Sequence, residues 1–174
     1  MKISLKAPAK INWFLSVLNK REDGYHNIIS PMQCVDLFDI LSFEEAEELR
    51  VLSDLDIPEE LNLVHKAATL LKRVSLHKSG ATIELKKNIP VAAGLGGGSS
   101  DAAYTLVGLN RLWGLNFDKG TLMRLASEIG SDVPFFLAGP LALIEGRGEK
   151  VTELNTEGSM IILLINNDFR SPGV

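Results

Sequence analysis

A glycine-rich stretch at residues 90–103 constrains this chain more than any other feature. Its sequence, PVAAGLGGGSSDAA, places four glycines just before two serines, and the apolar residues that follow indicate a helix. Glycine tolerates positive φ and leaves its backbone N–H group accessible to a ligand. A helix N-terminus adds unpaired N–H donors and a partial positive charge. The stretch therefore predicts an anion-binding loop suited to phosphate.

Two well-known phosphate loops do not fit this stretch. Counted from Gly94, a Walker A loop needs glycine and lysine where Ser99 and Ser100 stand. The dinucleotide-binding fingerprint needs its third glycine at the position of Ser99. The alternative to a phosphate site is a structural turn in which Ser99 or Ser100 caps the helix.

Composition limits the class of protein. The chain has 174 residues, 45% of them hydrophobic, and a net charge of −4, which argues against a nucleic-acid binder held by backbone charge. The single cysteine, Cys34, excludes an internal disulfide, fits a reducing cytoplasm and is interpreted as a packing residue. Residues 1–10 lack the long apolar run of a secretory signal, so we expect a cytoplasmic protein.

Hydrophobic periodicity predicts an α+β fold whose strand order stays open. Strands are predicted at 2–6, 10–18, 28–35, 38–43, 82–86, 141–145, 150–152 and 160–165. Helices are predicted at 61–76 and 100–113, and from Asp118, as N-cap, to Gly130. Residues 7–9 are expected to break the first strand from the second, which is expected to be covered on both faces. The strands around Asp36 are expected to pair, and the last strand is expected to be buried.

Two charged residues in apolar company are candidates for catalysis. Lys10 precedes an apolar segment, and Asp132 precedes Val133-Pro134 and two phenylalanines. Each has an alternative: Lys10 as a strand-end lysine facing water, and Asp132 as the N-cap of a short helix. If both lie near a bound nucleotide, the carboxylate can accept the proton of an attacking alcohol and the ammonium keeps that carboxylate ionised. A magnesium ion would spread the charge of the phosphates.

The aromatic pair Tyr25-His26 follows a polar turn. An exposed pair can stack on a flat ring and hydrogen-bond to it, whereas the alternative is a packed tyrosine beside a surface histidine. His65 and His77 are interpreted as structural or solvated. The sequence shows no cluster with metal-ligand spacing, so no dedicated metal site is predicted and the residue that contacts a magnesium ion stays unknown.

Three motifs resemble the GHMP kinase superfamily, which includes galactokinase and the homoserine and mevalonate kinases. They are the segment KAPAKIN at 6–12, the glycine stretch at 90–103 and SDVP at 131–134. The segment REDGYH at 21–26 and the form of the glycine stretch resemble the member family whose substrate is a small polyol joined to cytidine diphosphate, in non-mevalonate isoprenoid biosynthesis. The resemblance implies transfer of phosphate from ATP, with Mg²⁺, to a hydroxyl of that substrate.

The resemblance also implies roles for individual residues. Asp132 matches the catalytic base and Lys10 its partner, while Asn12, Tyr25 and His26 match the substrate side, where the tyrosine stacks on cytosine. The loop around the ATP phosphates is matched by Gly94, Leu95, Gly96, Gly97, Gly98, Ser99 and Ser100. Positions near the adenosine are matched by Asn62, Leu63 and Lys87. Asp101 is expected to point away from the phosphates.

The implied fold is the GHMP kinase N-terminal domain, related to ribosomal protein S5 domain 2. It is expected to span residues 1–165, with 166–174 as the start of a linker to the family's ferredoxin-like C-terminal domain, which the chain lacks. Three hypotheses stay open: a kinase for the cytidyl substrate or another small alcohol, a nucleotide-binding fragment without turnover, and an RNA-binding relative. No nucleic-acid or membrane partner is expected, and the oligomeric state is left open.

Overall fold

The computed structural model describes residues 2–54, 58, 61–155, 158 and 160–165, and their elements form an α+β fold. The strands are β1 (Lys2–Asn12), β2 (Ser16–Lys20), β3 (His26–Ala46), β4 (Arg50–Ser53), β5 (Gly80–Lys86), β6 (Leu141–Gly146) and β7 (Lys150–Glu153). The helices are α1 (Leu63–Ser75), α2 (Gly97–Leu112), α3 (Lys119–Ile129) and α4 (Phe135–Ala138). None of the helices in these ranges is long and apolar enough to cross a membrane.

The long strand β3 organises the sheet. It pairs antiparallel with β1, β2, β5 and β6, while β4 lies parallel to β5 and β7 antiparallel to β6. Helix α2 contacts α1, β1 and β3, so the core forms between the sheet and the helices. Its largest fully buried side chains include Leu41, Phe43, Leu71, Ile83, Leu106 and Leu109.

Two predicted chain breaks are wrong because the strands continue through a single bulge in the pairing of β1 with β3. Strand β1 continues through Ala7-Pro8-Ala9, and its register against β3 shifts between Pro8 and Ala9. Pro8 lies opposite Phe38 and Ala9 opposite Val35, so β3 accommodates extra residues around Asp36. A bulge bends a strand without ending it, and it tolerates a residue that lacks an N–H group. The two strands predicted around Asp36 are therefore one strand of 21 residues.

Two apolar segments that were predicted to be buried strands lie on the surface instead. In the segment predicted as a covered strand at 10–18, the side chains of Trp13, Phe14, Leu15, Val17 and Leu18 are exposed. The segment 160–165 forms no strand, and Ile161 is 99% exposed. Apolar composition indicates a surface that can be buried, but burial requires a partner that the described chain does not place there.

The helix predictions are confirmed with small shifts of their boundaries. Asp118 caps α3 by accepting from the Thr121 N–H group, and Gly130 is its C-cap. Helix α2 begins at Gly97, three residues before the predicted start, and its N-cap is Gly96. Because the helix begins before Ser99, neither Ser99 nor Ser100 is its N-cap. The strands predicted at 141–145 and 150–152 are confirmed as β6 and β7, which pair as a hairpin.

Candidate active site

The glycine stretch forms the N-terminus of α2. Gly94 has φ of 75° and Gly96 has φ of 69°, a left-handed conformation that glycine adopts readily. The first intrahelical bond of this turn joins the Ser100 N–H group to the Gly96 carbonyl, and Gly96 has no side chain that could cap the helix. The N–H groups at residues 96–99 therefore lie at the positive end of the helix, where an anion is stabilised.

Two neighbouring elements hold this loop in place. The Lys10 N–H group donates to the Leu95 carbonyl at 2.8 Å, which links the loop to β1. A Cβ atom at Gly96 would lie 2.8 Å from Lys10 Cγ and 3.0 Å from Phe136 Cζ. A larger residue at position 96 would thus meet side chains from β1 and α4, so the loop, β1 and α4 converge at one point.

Lys10 and Asp132, the two predicted catalytic residues, meet beside this loop. The Lys10 ammonium lies 3.6 Å from Asp132 Oδ2 and donates to Asn12 Oδ1 at 2.6 Å. Lys10 and Asn12 can meet because alternate residues of a strand face the same side. The Lys10 side chain is only 8% exposed, whereas that of Asp132 is 36% exposed. The lysine is therefore not the solvated strand-end residue of the alternative interpretation, and the carboxylate remains accessible to a ligand.

Ser30 extends this cluster and was missed by the sequence analysis. Asn12 Nδ2 donates to Ser30 Oγ at 2.7 Å, and Ser30 in turn donates to the Phe14 carbonyl at 2.6 Å. Ser30 is fully buried on β3, so this chain of hydrogen bonds orients the Asn12 amide toward Lys10. The only sequence signal that could have identified Ser30 as part of the site was the presence of a serine in an otherwise apolar predicted strand.

Asp132 is positioned by a turn between α3 and α4. The Val133 N–H group donates to the Gly130 carbonyl, and the side chains of Val133 and Phe135 are fully buried. The N-cap of α4 is Pro134, so the interpretation of Asp132 as a helix cap is wrong. The buried neighbours fix the turn to the core, which leaves the aspartate side chain free to face Lys10.

The N-terminus of α1 adjoins the same loop. Asn62 is buried and caps α1 by accepting from the Val64 N–H group at 2.9 Å. A Cβ atom at Gly98 would lie 3.6 Å from Leu63 Cδ1. Asn62 and Leu63 are therefore near the glycines, which is compatible with the adenosine positions that the resemblance implies.

Lys87 lies in a buried ion cluster. Its ammonium donates to Asp39 Oδ2 and, at 2.7 Å, to Asp101 Oδ2. Burial raises the pKa of Asp101 to about 7, although the neighbouring Lys87 ammonium opposes this rise. Asp101 thus faces the protein interior and pairs with Lys87, which is compatible with the expectation that it points away from the phosphates. Asp39 was missed because a single aspartate in an alternating strand is usually a solvent-facing residue.

Tyr25 and His26 lie at the start of β3, whereas Lys10 pairs with Cys34 in the interior of this strand. Asn12 is opposite Met32, six residues along β3 from His26, which corresponds to about 20 Å of strand. Tyr25 is 57% exposed, and the Arg147 guanidinium lies 5.5 Å from its ring centroid. Tyr25 is therefore not the packed residue of the alternative interpretation.

The turn between β6 and β7 connects the two regions. Arg147 contacts Tyr25, and a Cβ atom at the next residue, Gly148, would lie 3.0 Å from Ser131 Cβ. Ser131 directly precedes Asp132. The hairpin turn thus contacts the aromatic ring through Arg147 and adjoins the residue before the aspartate through Gly148.

The remaining candidate residues have structural surroundings. His77 stacks on Trp113 with ring centroids 4.8 Å apart, which fits its interpretation as structural. Cys34 is half-buried, and burial raises the pKa of its thiol to about 11. Within the described residues, no group of three His, Cys, Asp or Glu side chains could hold a metal ion. A cavity of about 460 Å³ lies between residues 33–37 and 160–164, and its lining includes neither Lys10 nor Asp132.

Comparison with known proteins identifies the class. Residues 62–140 match the family model described as GHMP kinases N terminal domain. The fold agrees: a solved homoserine kinase from Cytophaga hutchinsonii covers 88% of this chain with a TM-score of 0.68 at 22% identity. The chain therefore carries a GHMP kinase N-terminal domain, and the resemblance found in its motifs is confirmed.

Particular relatives share one name. The 4-diphosphocytidyl-2-C-methyl-D-erythritol kinase of Thermodesulfovibrio yellowstonii is 51% identical over 167 residues, which are 96% of this chain and 59% of that protein. The kinase of the same name from Caldanaerobacter subterraneus subsp. tengcongensis is 48% identical over 95% of this chain and 58% of its own length. A crystal structure of 4-(cytidine 5'-diphospho)-2C-methyl-D-erythritol kinase superposes with a TM-score of 0.77 at 40% identity, over 87% of this chain and 55% of that one. The chain spans little more than half the length of these relatives.

Proposed function

We propose that this chain is the catalytic N-terminal part of an ATP-dependent kinase that phosphorylates the 2-hydroxyl of 4-diphosphocytidyl-2-C-methyl-D-erythritol. The observation that carries the proposal is the Lys10–Asp132 pair, 3.6 Å apart, beside the N-terminus of α2. One group accepts a proton and the other stabilises charge, at the point where phosphate would be held. The names of the relatives support the choice of substrate.

In this mechanism Asp132 is the general base. Its partly exposed carboxylate accepts the proton of the substrate hydroxyl as the oxygen attacks the γ-phosphorus of ATP. The Lys10 ammonium pairs with the carboxylate and stabilises developing negative charge on the attacking oxygen. Asn12, fixed by Ser30, holds the ammonium in position.

The glycine loop binds the phosphates of Mg-ATP. The N–H groups at residues 96–99 donate to phosphate oxygens, and the helix charge at this end favours them. Mg²⁺ prefers oxygen ligands from one or two carboxylates together with substrate phosphates. Ser100 Oγ fits the role of an oxygen ligand, because it is a buried oxygen for which the described residues provide no hydrogen-bond partner. When bound, the ion spreads the charge of the transferred phosphate.

The substrate spans the distance between the catalytic pair and Tyr25. Its cytosine stacks on the exposed Tyr25 ring and its edge binds His26, while the polyol reaches Asp132.

The protein would be cytoplasmic, as its composition predicts.

A coupled ADP-release assay tests the function. The chain is mixed with Mg-ATP and 4-diphosphocytidyl-2-C-methyl-D-erythritol, with mevalonate and homoserine as alternative acceptors. Release of ADP only with the cytidyl substrate supports the proposal. Release with mevalonate or homoserine would instead assign the chain to another kinase of the superfamily.

A second candidate function is nucleotide binding without turnover. The chain covers 55–59% of the length of its relatives, and apolar side chains at Trp13, Phe14, Leu15, Val17 and Leu18 are exposed. Both observations favour a domain that needs contacts with additional polypeptide before its site is arranged for phosphoryl transfer. Binding of Mg-ATP without release of ADP, in the same assay, selects this candidate.

Gly97→Val is expected to weaken Mg-ATP binding about tenfold, because the added side chain crowds the loop. A Cβ atom at Gly97 would already lie 3.0 Å from Ile89 Cγ2 and 3.1 Å from Lys87 Nζ. Gly120→Val, in α3 and outside the site, is the control. The nearest atom to a Cβ there is Asp118 Oδ1, at 3.8 Å. Titration calorimetry measures both affinities, and an unchanged affinity in Gly97→Val would contradict the phosphate-loop role.

Tyr25→Ala is expected to weaken binding of the cytidyl substrate at least about fivefold, because stacking on a base contributes roughly 1–3 kcal/mol. The affinity for Mg-ATP should not change, since Tyr25 is nine residues before Cys34, the β3 residue opposite the Lys10 that holds the glycine loop. Tyr25→Phe, which keeps the ring, should retain most of the affinity. Equal affinity of Tyr25→Ala and the wild type for the cytidyl substrate would rule out cytosine stacking.

A further inference from the structure

Three charged side chains form a buried cluster beneath the start of α2. Lys87 Nζ donates to Asp39 Oδ2 and to Asp101 Oδ2, the latter at 2.7 Å. The side chains of Asp39, Lys87 and Asp101 are 0%, 8% and 3% exposed. No role in the reaction has been given to Asp39 or Asp101, and the resemblance places Lys87 near the adenosine.

Each member of the cluster belongs to a different element. Asp39 lies on β3, and its Oδ1 accepts from the N–H groups of Asn88 at 2.6 Å and Ile89 at 2.8 Å. Lys87 directly follows β5, and Asp101 lies one turn into α2. The cluster therefore joins β3, the end of β5 and the beginning of α2 at the place where the chain enters the glycine loop.

The cluster lies directly against the first residue of α2. A Cβ atom at Gly97 would be 3.1 Å from Lys87 Nζ and 3.0 Å from Ile89 Cγ2. The opposite side of the loop is held by the hydrogen bond from the Lys10 N–H group to the Leu95 carbonyl. The loop thus has one fixed point on β1 and a second on the ion cluster.

Stability alone does not account for this arrangement. Removing two carboxylates and an ammonium from water is costly, and apolar residues of similar size often stabilise a fold equally well. Asp101 Oδ1 is buried and has no hydrogen-bond partner among the described residues, which adds to the cost. What the ions provide, and apolar side chains do not, is a directional connection between three specific atoms.

We propose that Asp39, Lys87 and Asp101 form a positioning cluster that fixes the first turn of α2, so that its free N–H groups face the phosphates of ATP. This inference rests on the proposed function, because ATP is the ligand proposed for the loop. Lys87 is then a positioning residue that acts through the loop.

Two substitutions at one position separate geometry from charge. Asp101→Asn and Asp101→Ala both remove the negative charge, but only asparagine keeps an oxygen that accepts from Lys87. In both variants Lys87 and Asp39 remain as a balanced pair. Titration calorimetry with Mg-ATP and with adenosine then measures the effect on each part of the nucleotide.

The alanine variant is expected to bind Mg-ATP about tenfold more weakly than the asparagine variant, since a hydrogen bond to a charged group is lost. Adenosine affinity should be equal in the two variants. Equal Mg-ATP affinity in the two variants would overturn the proposal. An equal loss for adenosine and Mg-ATP would also overturn it, because the cluster would then serve the nucleoside.

A second measurement does not depend on nucleotide. Lys87→Met in the Asp101→Asn background keeps the two backbone hydrogen bonds to Asp39 Oδ1 and removes the ammonium that donates to Asp39 Oδ2. Hydrogen exchange at the amides of residues 96–101 is expected to be at least about tenfold faster than in Asp101→Asn alone, with exchange in α3 unchanged. Equal exchange at 96–101 would contradict positioning.

Binding of Mg-ATP to the wild-type chain separates failure of the proposed function from failure of the positioning role. If it binds no Mg-ATP, the proposed function fails, and with it the ligand of the loop. If it binds Mg-ATP while Asp101→Asn and Asp101→Ala bind equally well, only the positioning role fails.

Discussion

Asp132→Asn is expected to reduce the rate of phosphoryl transfer about a thousandfold, the contribution typical of a general base. Asparagine has nearly the same shape as aspartate but cannot accept the proton of the substrate hydroxyl. The affinity for Mg-ATP should change less than about twofold, because the N–H groups of the glycine loop are untouched. Single-turnover ADP release measures the rate, and titration calorimetry measures the affinity.

The control for this variant is Asp118→Asn, the same substitution at the N-cap of α3. Asparagine caps a helix about as well as aspartate, so stability and rate should stay close to those of the wild type. The loss of the Lys10–Asp132 ion pair should itself cost under about 1 kcal/mol of folding free energy, since the carboxylate is partly exposed. An Asp132→Asn variant that keeps more than about a tenth of the wild-type rate would remove Asp132 from the role of base.

Apolar spacing and capping residues were enough to predict the helices, because these signals lie within a single segment of the chain. Helix α1 follows from apolar spacing, and α3 from its Asp118 cap and terminal Gly130. The start of α2 was placed three residues late because glycine is a poor helix former. Gly97 lies so close to Ile89 and Lys87 that a Cβ atom there would be crowded by both. At this position the packing of the helix start against its neighbours thus outweighs the low helix propensity of glycine.

The parts of the site that the sequence did not predict depend on distant partners. Asp39 binds Lys87 across 48 positions, and Ser30 accepts from Asn12 across 18 positions. Periodicity is a local signal, so it cannot identify such pairs. The meeting of Lys10 and Asp132 was expected from the family resemblance, and local sequence alone left each with an ordinary structural alternative.

The largest error is the prediction that residues 13–18 are covered on both faces. Here the local signal is clear, and what the sequence does not show is the partner. The apolar character of these side chains is plain in the sequence, but whether such a segment is covered depends on what packs against it. The described part of the chain leaves Trp13 47% and Leu15 57% exposed. A pattern can predict which side chains are able to be buried, whereas the partner decides whether they are.

Gly108→Ala is expected to lower the free energy of unfolding by about 2 kcal/mol, although alanine favours a helix over glycine by roughly 1 kcal/mol. Gly108 lies on α2 against the fully buried Phe43 ring of β3. A Cβ atom there would lie 2.4 Å from Phe43 Cε2 and 2.5 Å from Cζ. The ring belongs to the core and has no open space to enter, so the helix and the sheet must move apart.

The same substitution in another helix should have the opposite sign. Gly120 lies in α3, and the nearest atom to a Cβ there is Asp118 Oδ1 at 3.8 Å, an ordinary contact. Gly120→Ala should therefore raise the free energy of unfolding by about 0.5 kcal/mol, because the unfolded chain loses conformational freedom. Chemical denaturation followed by circular dichroism measures both variants. If Gly108→Ala were as stable as Gly120→Ala, close packing of α2 on Phe43 would be wrong. Since α2 begins at the glycine loop, its depth against the sheet also sets the position of the N–H groups that we propose bind phosphate.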